Sequence, residues 1–279
     1  MRAMGGHAND KAARAFRPLK PGDKVRLSEI DPDDTAGLDK GKDVAARFEK
    51  ATERLADLQE RLYAENKRGV LVVLQAMDAG GKDGTIRKVM GPLNSASCYV
   101  VSFKKPSTTE LAHDYLWRVH QQTPKKGEIG IFNRSHYEDV LVVKVHGLVD
   151  EATVEKRYGH INDFERMLTD CGTRVIKFML HITHDEQKKR MQQRIDDPTK
   201  HWKLSPVDFE ERKRWGEYMA AFEAALTATT TPWAPWYVVP ANKKWFRDLF
   251  VAETLVRALE EMNPRYPAPA VDVSKLVLE

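Results

Sequence analysis

Short apolar runs alternate along this chain with segments whose apolar residues recur at helical spacing. Five runs predict strands, at residues 70–74, 99–103, 129–132, 175–180 and 236–239. The clearest helical pattern steps by four and three residues and stops at Gly172; its members are Val154, Tyr158, Ile161, Phe164 and Leu168. Strands that alternate with helices favour a parallel sheet covered by helices on both faces. The predicted fold class is therefore a three-layer α/β domain.

Further helices are predicted from the same periodicity. A long helix covers residues 44–65, before the first strand. A short helix is expected ahead of Leu111, with the pair Thr108-Thr109 as its N-terminal cap. Residues 139–146 are ambiguous, because a run so rich in valine favours a strand by propensity alone.

The N-terminal segment differs from the rest of the chain. Residues 1–42 show little periodicity, and we expect an extended arm that lies over the domain surface or over a neighbouring subunit. Its predicted anchors are Val25, Leu27 and Ile30. Residues 43–279 are predicted to form a single domain, since a chain of 279 residues with 42% hydrophobic content can bury one large core.

Composition narrows the class of protein. Lysine and arginine number 45 against 41 aspartates and glutamates, and this mild basicity suits an anionic substrate, whereas a nucleic-acid binder would show a sharper local excess. Cys98 and Cys171 have no close-spaced partner, so neither a disulfide framework nor a zinc site is indicated. With no apolar stretch of ~18 residues and no export signal, we expect a cytoplasmic protein without membrane or specific nucleic-acid partners.

A glycine-rich loop follows the first predicted strand and opens onto a helix, which is the arrangement of a phosphate-binding P-loop. Its candidate phosphate ligands are Ala79, Gly80, Gly81, Lys82, Asp83 and Gly84. Ala76 stands where the motif has its first glycine, and Asp83 stands where serine or threonine meets magnesium. At ~4 Å a carboxylate facing a phosphate would cost about 4 kcal/mol at an effective dielectric of about 20, so Asp78 and Asp83 indicate a metal ion. A glycine-rich turn that binds nothing is the alternative interpretation.

A second polar constellation follows the third predicted strand. There Arg134 offers a planar fork for phosphate, while Glu138 and Asp139 offer oxygen atoms to a hard cation. The carboxyl end of the third strand should lie beside the P-loop at one edge of the sheet. The alternative interpretation is a polar loop in which Ser135 and Glu138 cap a helix, and both descriptions can hold together.

Basic residues elsewhere can reach the same edge. Lys104 and Lys105 end the second predicted strand, and Arg118 lies on the helix that follows. Arg190 and Arg194 are four residues apart, so on a helix both can meet one extended anion. For the later run at residues 212–214, a solvated face balanced by neighbouring glutamates is the favoured interpretation.

Several longer motifs, in order, resemble the polyphosphate kinase 2 family: residues 75–84, 102–106, 113–118, 132–139, 201–203 and 235–240. The resemblance extends from about Lys20 to Pro264. It implies a P-loop kinase fold similar to thymidylate kinase, a helical lid over about residues 183–231, and a helix rather than a strand at residues 139–146. It also implies magnesium dependence, with manganese as a possible substitute, and inorganic polyphosphate as the phosphoryl donor.

The resemblance assigns roles to the candidate residues. Asp78 and Lys82 match the family's P-loop carboxylate and lysine, Arg134 its loop arginine, and Arg190 and Arg194 its lid. Ala76 and Asp83 resemble what single-domain members carry, which counts against ATP as donor.

Together with the residue chemistry, these matches define a predicted site. The catalytic candidates are Asp78, Lys82, Arg134 and Asp139; the metal candidates are Asp78, Glu138 and Asp139; the nucleotide-binding candidates are Arg118 and Arg134; and polyphosphate is assigned to the P-loop with Lys104, Lys105, Arg190 and Arg194.

The predicted activity is reversible transfer of the terminal phosphate of polyphosphate to AMP and ADP. A single kinase domain with an acidic pair after the arginine loop resembles the members that use both nucleotides. We expect a homo-oligomer, either a dimer or a tetramer. Two alternatives stay open: an ATP-dependent nucleoside monophosphate kinase, and a non-catalytic polyanion- or RNA-binding protein, for which the acidic residues would have no purpose.

Overall fold

A five-stranded parallel sheet forms the centre of the protein. The computed structural model describes residues 17–276, and the expectations for residues 1–16 and 277–279 lie outside that range. The strands are β1 (Gly69–Gln75), β2 (Cys98–Ser102), β3 (Ile129–Asn133), β4 (Thr173–His181) and β5 (Trp236–Pro240). They pair in the order β2-β3-β1-β4-β5, all parallel. The five predicted strands and the α/β class are therefore confirmed.

Helices precede, connect and follow the strands. They are α1 (Lys42–Glu65), α2 (Lys82–Thr85), α3 (Thr108–Leu111), α4 (Trp117–His120), α5 (Val142–Val145), α6 (Glu151–Asp170), α7 (His184–Ile195), α8 (Pro206–Lys213), α9 (Trp215–Thr229) and α10 (Lys244–Met262). A π-helical turn, Ile86–Met90, continues α2, and 3-10 turns occur at Leu27–Glu29, His136–Asp139, Pro198–Lys203 and Val273–Lys275. None of the helices in the described part of the chain is long and apolar enough to cross a bilayer.

The core has two halves, one on each face of the sheet. Alternate residues of a strand point to opposite faces, so Val72 packs with Leu62 and the other apolar residues of α1 and α10. Its neighbour Val73 packs on the other face with Ile161 and the apolar side of α6 and α9. Strand β1 is buried along its whole length, as expected for the middle of a three-layer sandwich.

Two local predictions have different outcomes. The predicted cap at Thr108-Thr109 is wrong, because the preceding Ser107 is the N-cap of α3. Its Oγ accepts a hydrogen bond from the Glu110 amide at 3.2 Å, and a Glu110 carboxylate oxygen accepts one from the Ser107 amide at 2.6 Å. The helical interpretation of residues 139–146 is confirmed, since Asp139 ends a 3-10 turn, residues 142–145 form α5 and the residues between them are in a turn rather than a strand.

The described part of the N-terminal segment, residues 17–42, packs against the domain of the same chain. Val25 and Leu27 are buried in the core half that contains α9, and Ile30 is half-buried. The Val25 amide donates to Thr227 Oγ1 at 3.0 Å, and the Leu27 amide donates to a Glu223 carboxylate oxygen at 2.7 Å. The division of the chain into an arm, a domain and a lid stays a prediction.

Candidate active site

The P-loop connects β1 to α2 and adopts a backbone that requires its glycines. Gly81 has φ +113°, and an added Cβ there would lie 2.0 Å from the Arg247 guanidinium nitrogen Nη1. At Gly80 an added Cβ would lie 2.6 Å from the Ala76 side chain and 2.7 Å from the Met77 carbonyl oxygen. Both positions therefore exclude larger residues. Ala79 is also left-handed, with φ +60°, which stores strain in the loop.

Lys82 lies at the base of this loop and is buried. Its Nζ donates to the Ala76 carbonyl oxygen at 3.0 Å, so the ammonium group is held against the loop. Burial lowers the pKa of Lys82, while the negative charges of Asp78, Glu138 and Asp83 oppose that shift. A lysine placed among three carboxylates and a phosphate cradle can neutralise a bound polyanion.

The two acidic P-loop residues have different partners. Asp78 Oδ1 accepts from Arg134 Nη2 at 2.7 Å, which joins the P-loop to the arginine loop. Asp83 Oδ1 accepts from Asn133 Nδ2 at 2.8 Å, at the end of β3. The structure thus brings the two sequence constellations together at the carboxyl edge of the sheet, as expected.

The arginine loop, residues 133–139, is held by hydrogen bonds to the end of β1 and within the loop itself. Arg134 has φ +63°, and its amide donates to the Leu74 carbonyl oxygen at 3.1 Å. Ser135 caps the 3-10 turn through its Oγ, which accepts from the Tyr137 amide at 3.2 Å. With its amide oriented to satisfy both neighbours, Gln75 donates to Glu138 Oε1 at 3.0 Å and accepts from Ser135 Oγ at 3.1 Å. Ser135 therefore caps the turn, but the predicted capping box with Glu138 does not form, because Glu138 bonds to Gln75 instead; anion binding by this loop stays a prediction.

Glu138 and Asp139 point to different surroundings. Desolvation raises the pKa of Glu138, the positive charges of Arg134 and Lys82 oppose that shift, and the negative charge of Asp78 adds to it. Asp139 Oδ1 instead lies 3.7 Å from Arg157 Nη1, on helix α6, and Arg118 also attracts its charge. Its Oδ2 is buried and has no hydrogen-bond partner within residues 17–276. Of the acidic pair, only Glu138 is electrostatically coupled to the P-loop lysine.

A basic groove of about 650 Å³ runs from the P-loop toward residues 200–203. Eleven basic side chains line it: Lys82, Arg87, Lys88, Lys104, Arg134, Arg190, Arg194, Lys200, Lys203, Lys244 and Arg247. Only four acidic side chains face them, Asp78, Asp83, Asp208 and Asp248. This excess of positive charge suits a long polyanion that has no apolar part.

A second cavity of about 740 Å³ lies on the other side of the arginine loop and has a mainly apolar lining. Its apolar residues include Phe103, Leu111, Val142, Leu148, Val207 and Phe222. Nine charged side chains line it as well: Asp78, Lys104, Lys105, Arg118, Arg134, Glu138, Asp139, Asp208 and Glu211. A mainly apolar pocket that also has charged side chains in its lining suits a ligand with an aromatic ring and a phosphate tail.

The groove and the apolar cavity meet at one place. Both are lined by Asp78, Phe103, Lys104, Arg134 and Asp208. Asp208 lies on α8 near Asp78, and desolvation together with the Asp78 charge raises its pKa. Two ligands that fill the two cavities would therefore meet between the P-loop and Arg134.

Arg190 lies under the P-loop and is buried. Its five N–H groups all have acceptors: the Glu186 carboxylate at 2.7 Å, the carbonyl oxygens of Ala79 and Gly80 at 3.1 and 3.0 Å, and those of Ala241 and Asn242 at 2.6 and 3.0 Å. These bonds tie the P-loop to the segment after β5. Arg194 has a looser contact, 3.7 Å from Asp208, and its side chain is more exposed.

Substitution should separate these two arginines. Arg194→Ala is expected to raise the KM for polyphosphate about 10-fold, since one charge-assisted contact is worth that much. Arg190→Ala leaves four carbonyl oxygens without their donor, so we expect a melting temperature lower by about 5 °C or more and a loss of turnover. Thermal unfolding measures the melting temperature of both variants, and steady-state kinetics measures their KM and kcat.

Lys213→Ala, at an exposed lysine paired with Glu210 on α8, is the control. Equal losses of stability and of turnover for Arg190→Ala and Arg194→Ala would contradict this separation.

Six basic residues that line the groove were missed by the sequence predictions. Lys244 and Arg247 lie in the first turns of α10, Arg87 and Lys88 follow the P-loop in the π-helical turn, and Lys200 and Lys203 lie in the 3-10 turn Pro198–Lys203. A signal existed for the first two, because a basic cluster directly after a strand of a parallel sheet must lie at the carboxyl edge. The run at residues 212–214 is exposed or half-exposed, as the favoured interpretation expected. Lys213 pairs with Glu210, whereas Arg214 pairs with Glu217 and Arg212 donates to the His184 carbonyl oxygen and to Gln187 Oε1.

No ready-made metal cluster of three His, Cys, Asp or Glu side chains occurs between residues 17 and 276. The residues at the junction nevertheless fit magnesium, which needs only one or two carboxylates when phosphates and water complete its shell. Asp78, Asp83 and Glu138 supply such oxygen atoms beside the phosphate cradle.

Known proteins resemble this chain over most of its length. The polyphosphate kinase 2 (PPK2) family matches residues 38–267. An AMP/ADP-polyphosphate phosphotransferase of Meiothermus ruber is 52% identical over 262 residues, 94% of this chain and 98% of that protein. An ADP-polyphosphate phosphotransferase of Rhodopseudomonas palustris is 47% identical over 227 residues, 77% and 78% of the two chains. The crystal structure of polyphosphate kinase 2 from Arthrobacter aurescens TC1 has a TM-score of 0.88 at 44% identity and covers 92% of each chain. The predicted P-loop kinase fold is confirmed.

Proposed function

Because the chain belongs to the polyphosphate kinase 2 family, we propose that it transfers the terminal phosphoryl group of inorganic polyphosphate to AMP and to ADP, reversibly. The family prediction is confirmed. The observation that carries the proposal is the junction at Asp78 and Arg134 of a basic groove with an apolar pocket. One cavity suits a donor made only of phosphates, and the other suits a nucleotide acceptor.

The donor binds in the basic groove. Polyphosphate has no base or sugar, so its recognition depends on charge, and the groove offers eleven basic side chains along its length. Lys82 and Arg194 contact the donor phosphates. Arg190 holds the P-loop in shape, because each of its N–H groups is already bonded within the protein.

The acceptor binds in the apolar pocket. Leu111, Leu148 and Val207 are exposed apolar side chains at this cavity, and they provide surface for a base. Arg118 and Lys105 are two of the basic side chains that line it, and they hold the phosphates of the nucleotide. Since the lining offers the base mainly apolar contacts, we expect adenine to be preferred over guanine only modestly.

Transfer takes place at the junction. The attacking oxygen of the nucleotide phosphate must lie in line with the terminal phosphorus of the donor, and this proposal is supported by the lining residues that the two cavities share. Lys82 and Arg134 stabilise the charge on the transferred group, and Asp78 orients Arg134 through the 2.7 Å hydrogen bond. A phosphate acceptor needs no general base, so the carboxylates act by orientation and by holding a cation.

A divalent cation, magnesium or manganese, completes the proposed site. Asp78 and Glu138 would hold it, because both face Lys82 and Arg134, whereas Asp139 pairs with Arg157. A bound magnesium ion would neutralise phosphoryl oxygens and reduce the repulsion between them and the carboxylates.

The proposal predicts a sequential time course. With magnesium, polyphosphate and AMP, the purified protein should form ADP first and ATP afterwards, and ADP offered alone should also give ATP. Chromatography of the nucleotides measures each step, with GMP and GDP as parallel acceptors. ATP replaces polyphosphate in a donor control.

Other outcomes of this time course would restrict the acceptor or replace the proposed activity. If AMP is inert while ADP reacts, the enzyme acts on diphosphates alone; if ADP accumulates without ATP, it acts on monophosphates alone. Transfer from ATP but not from polyphosphate would establish the nucleoside monophosphate kinase instead. Binding of polyphosphate with steep salt dependence and no turnover would establish a polyanion-binding protein.

A further inference from the structure

A fully buried polar cluster lies directly beneath the arginine loop. Lys177, in the middle of β4, and Glu165, on α6, have no exposed surface, and Lys177 Nζ lies 2.6 Å from Glu165 Oε2. Removing two charges from water is costly, and an apolar pair of similar size is often as stable in such a place. The charged pair therefore calls for a role besides stability.

Every donor of the lysine has an acceptor. Besides Glu165, Lys177 Nζ donates to the Tyr137 hydroxyl at 2.8 Å and to the Thr229 carbonyl oxygen at 2.7 Å. Tyr137 in turn donates to Glu165 Oε1 at 2.9 Å, and His136 Nε2 lies 3.2 Å from the same oxygen. The cluster thus joins β4, α6 and the end of α9 to two consecutive residues of the arginine loop.

His136 and Tyr137, here called the root of the arginine loop, lie in the same loop as Arg134 and Glu138. From Tyr137 the hydrogen bonds continue through Ser135 Oγ to Gln75 and on to Glu138. Arg134 has a left-handed backbone, a conformation that costs energy for a residue with a side chain and persists only where the surroundings fix it. The buried cluster is the rigid attachment that such a loop requires.

We propose that Glu165, Lys177 and the Tyr137 hydroxyl are positioning residues, which fix the root of the arginine loop so that Arg134 and Glu138 stay at the junction of the two cavities. This inference rests on the proposed function. None of the three side chains lines the groove or the apolar pocket, so they act on the reaction only through the loop.

Tyr137→Phe tests the inference, because it removes the hydroxyl that contacts both Lys177 and Glu165 and leaves the His136 contact to Glu165 in place. We expect kcat to fall at least about 10-fold, since small displacements of a stabilising group carry losses of that order. The KM values for polyphosphate and AMP should change less than about 2-fold, because the cavity linings stay intact. A kcat within about 2-fold of the control would overturn the inference.

Tyr158→Phe is the matched control. Tyr158 is also buried, is itself a residue of α6, and its hydroxyl has no hydrogen-bond partner in the described part of the chain. The same deletion of a buried hydroxyl should therefore leave kcat unchanged. Glu165→Gln is a second variant, with the same expected fall in kcat, for use where Tyr137→Phe does not fold.

A double-mutant cycle distinguishes positioning from general support of the fold. In an Arg134→Ala background, Tyr137→Phe should add less than about 2-fold to the loss, because the residue through which it acts is gone. Losses that multiply in full would mean that the cluster supports the fold without acting through Arg134, and the inference would fail.

Hydrogen exchange gives a readout that does not depend on activity. Amides of residues 133–139 should exchange faster in Tyr137→Phe than in Tyr158→Phe, with those of β1 unchanged. Equal exchange in the two variants contradicts the inference even if the wild-type protein transfers phosphate. Absence of transfer in the wild type, with the expected exchange difference, contradicts the proposed function and leaves the anchoring of the loop in place.

Discussion

Lys82→Ala is expected to reduce phosphoryl transfer at least about 100-fold, which corresponds to about 2.7 kcal/mol of transition-state stabilisation. The Lys82 ammonium lies in the P-loop against the Ala76 carbonyl oxygen, so its charge is already in position before the substrates bind. Preorganised charge of this kind is difficult to replace, because the neighbouring carboxylates of Asp78 and Glu138 would then face the polyanion without a counter-charge.

The fold should survive this change, since Lys82 is buried at a cost that its removal relieves. Lys82→Met keeps most of the side-chain volume and should lose activity to the same degree. Lys88→Ala, further along the same groove, should weaken polyphosphate binding with a smaller effect on kcat. Retention by Lys82→Ala of more than about a tenth of the wild-type kcat, with unchanged thermal unfolding, would refute the assignment of the P-loop.

The parts of the fold that the sequence predicted are those set by local patterns. Strands such as Val70–Leu74 are continuous apolar runs, and the P-loop motif follows one of them directly, so their positions follow from neighbours in the chain. The meeting of Asp78 with Arg134 also follows, because the carboxyl ends of parallel strands lie at one edge.

Other features depend on contacts that no local pattern contains. The five acceptors of Arg190 come from α7, the P-loop and the segment after β5, and the helical spacing of Arg190 and Arg194 gives no hint that their surroundings differ. Asp139 is adjacent to Glu138 in sequence, yet its partner Arg157 comes from α6, beyond the short helix α5. Side-chain roles at such positions require the packed structure.

Lys177 is an intermediate case. A lysine within an otherwise apolar strand is visible in the sequence, and burial on both faces of a parallel strand makes a charged residue there unusual. What the sequence does not reveal is its partner Glu165, which belongs to the helical pattern that predicted α6. The anomaly could have been noted, but its connection to the arginine loop could not.

The second large effect is expected for Asp78→Asn. The substitution removes a carboxylate that both accepts from Arg134 at 2.7 Å and faces Lys82, so it should lower kcat about 100-fold. If Asp78 also holds the cation, the magnesium concentration needed for half of the maximal rate should rise, because an amide is a weaker ligand for a hard cation than a carboxylate. Titration of activity with magnesium, after removal of metal with EDTA, measures this requirement.

The neighbouring carboxylates supply the comparison. Glu138→Gln should raise the magnesium requirement in the same direction as Asp78→Asn, whereas Asp139→Asn should change it less, because Asp139 pairs with Arg157 on α6. Asp163→Asn, at an exposed carboxylate on the same helix, should leave both kcat and the magnesium requirement unchanged. A larger rise in the magnesium requirement for Asp139→Asn than for Glu138→Gln would assign the cation to Asp139 instead of Glu138. Transfer that persists in EDTA would remove the cation from the proposal, because lysine and arginine alone would then suffice to hold phosphates beside the carboxylates.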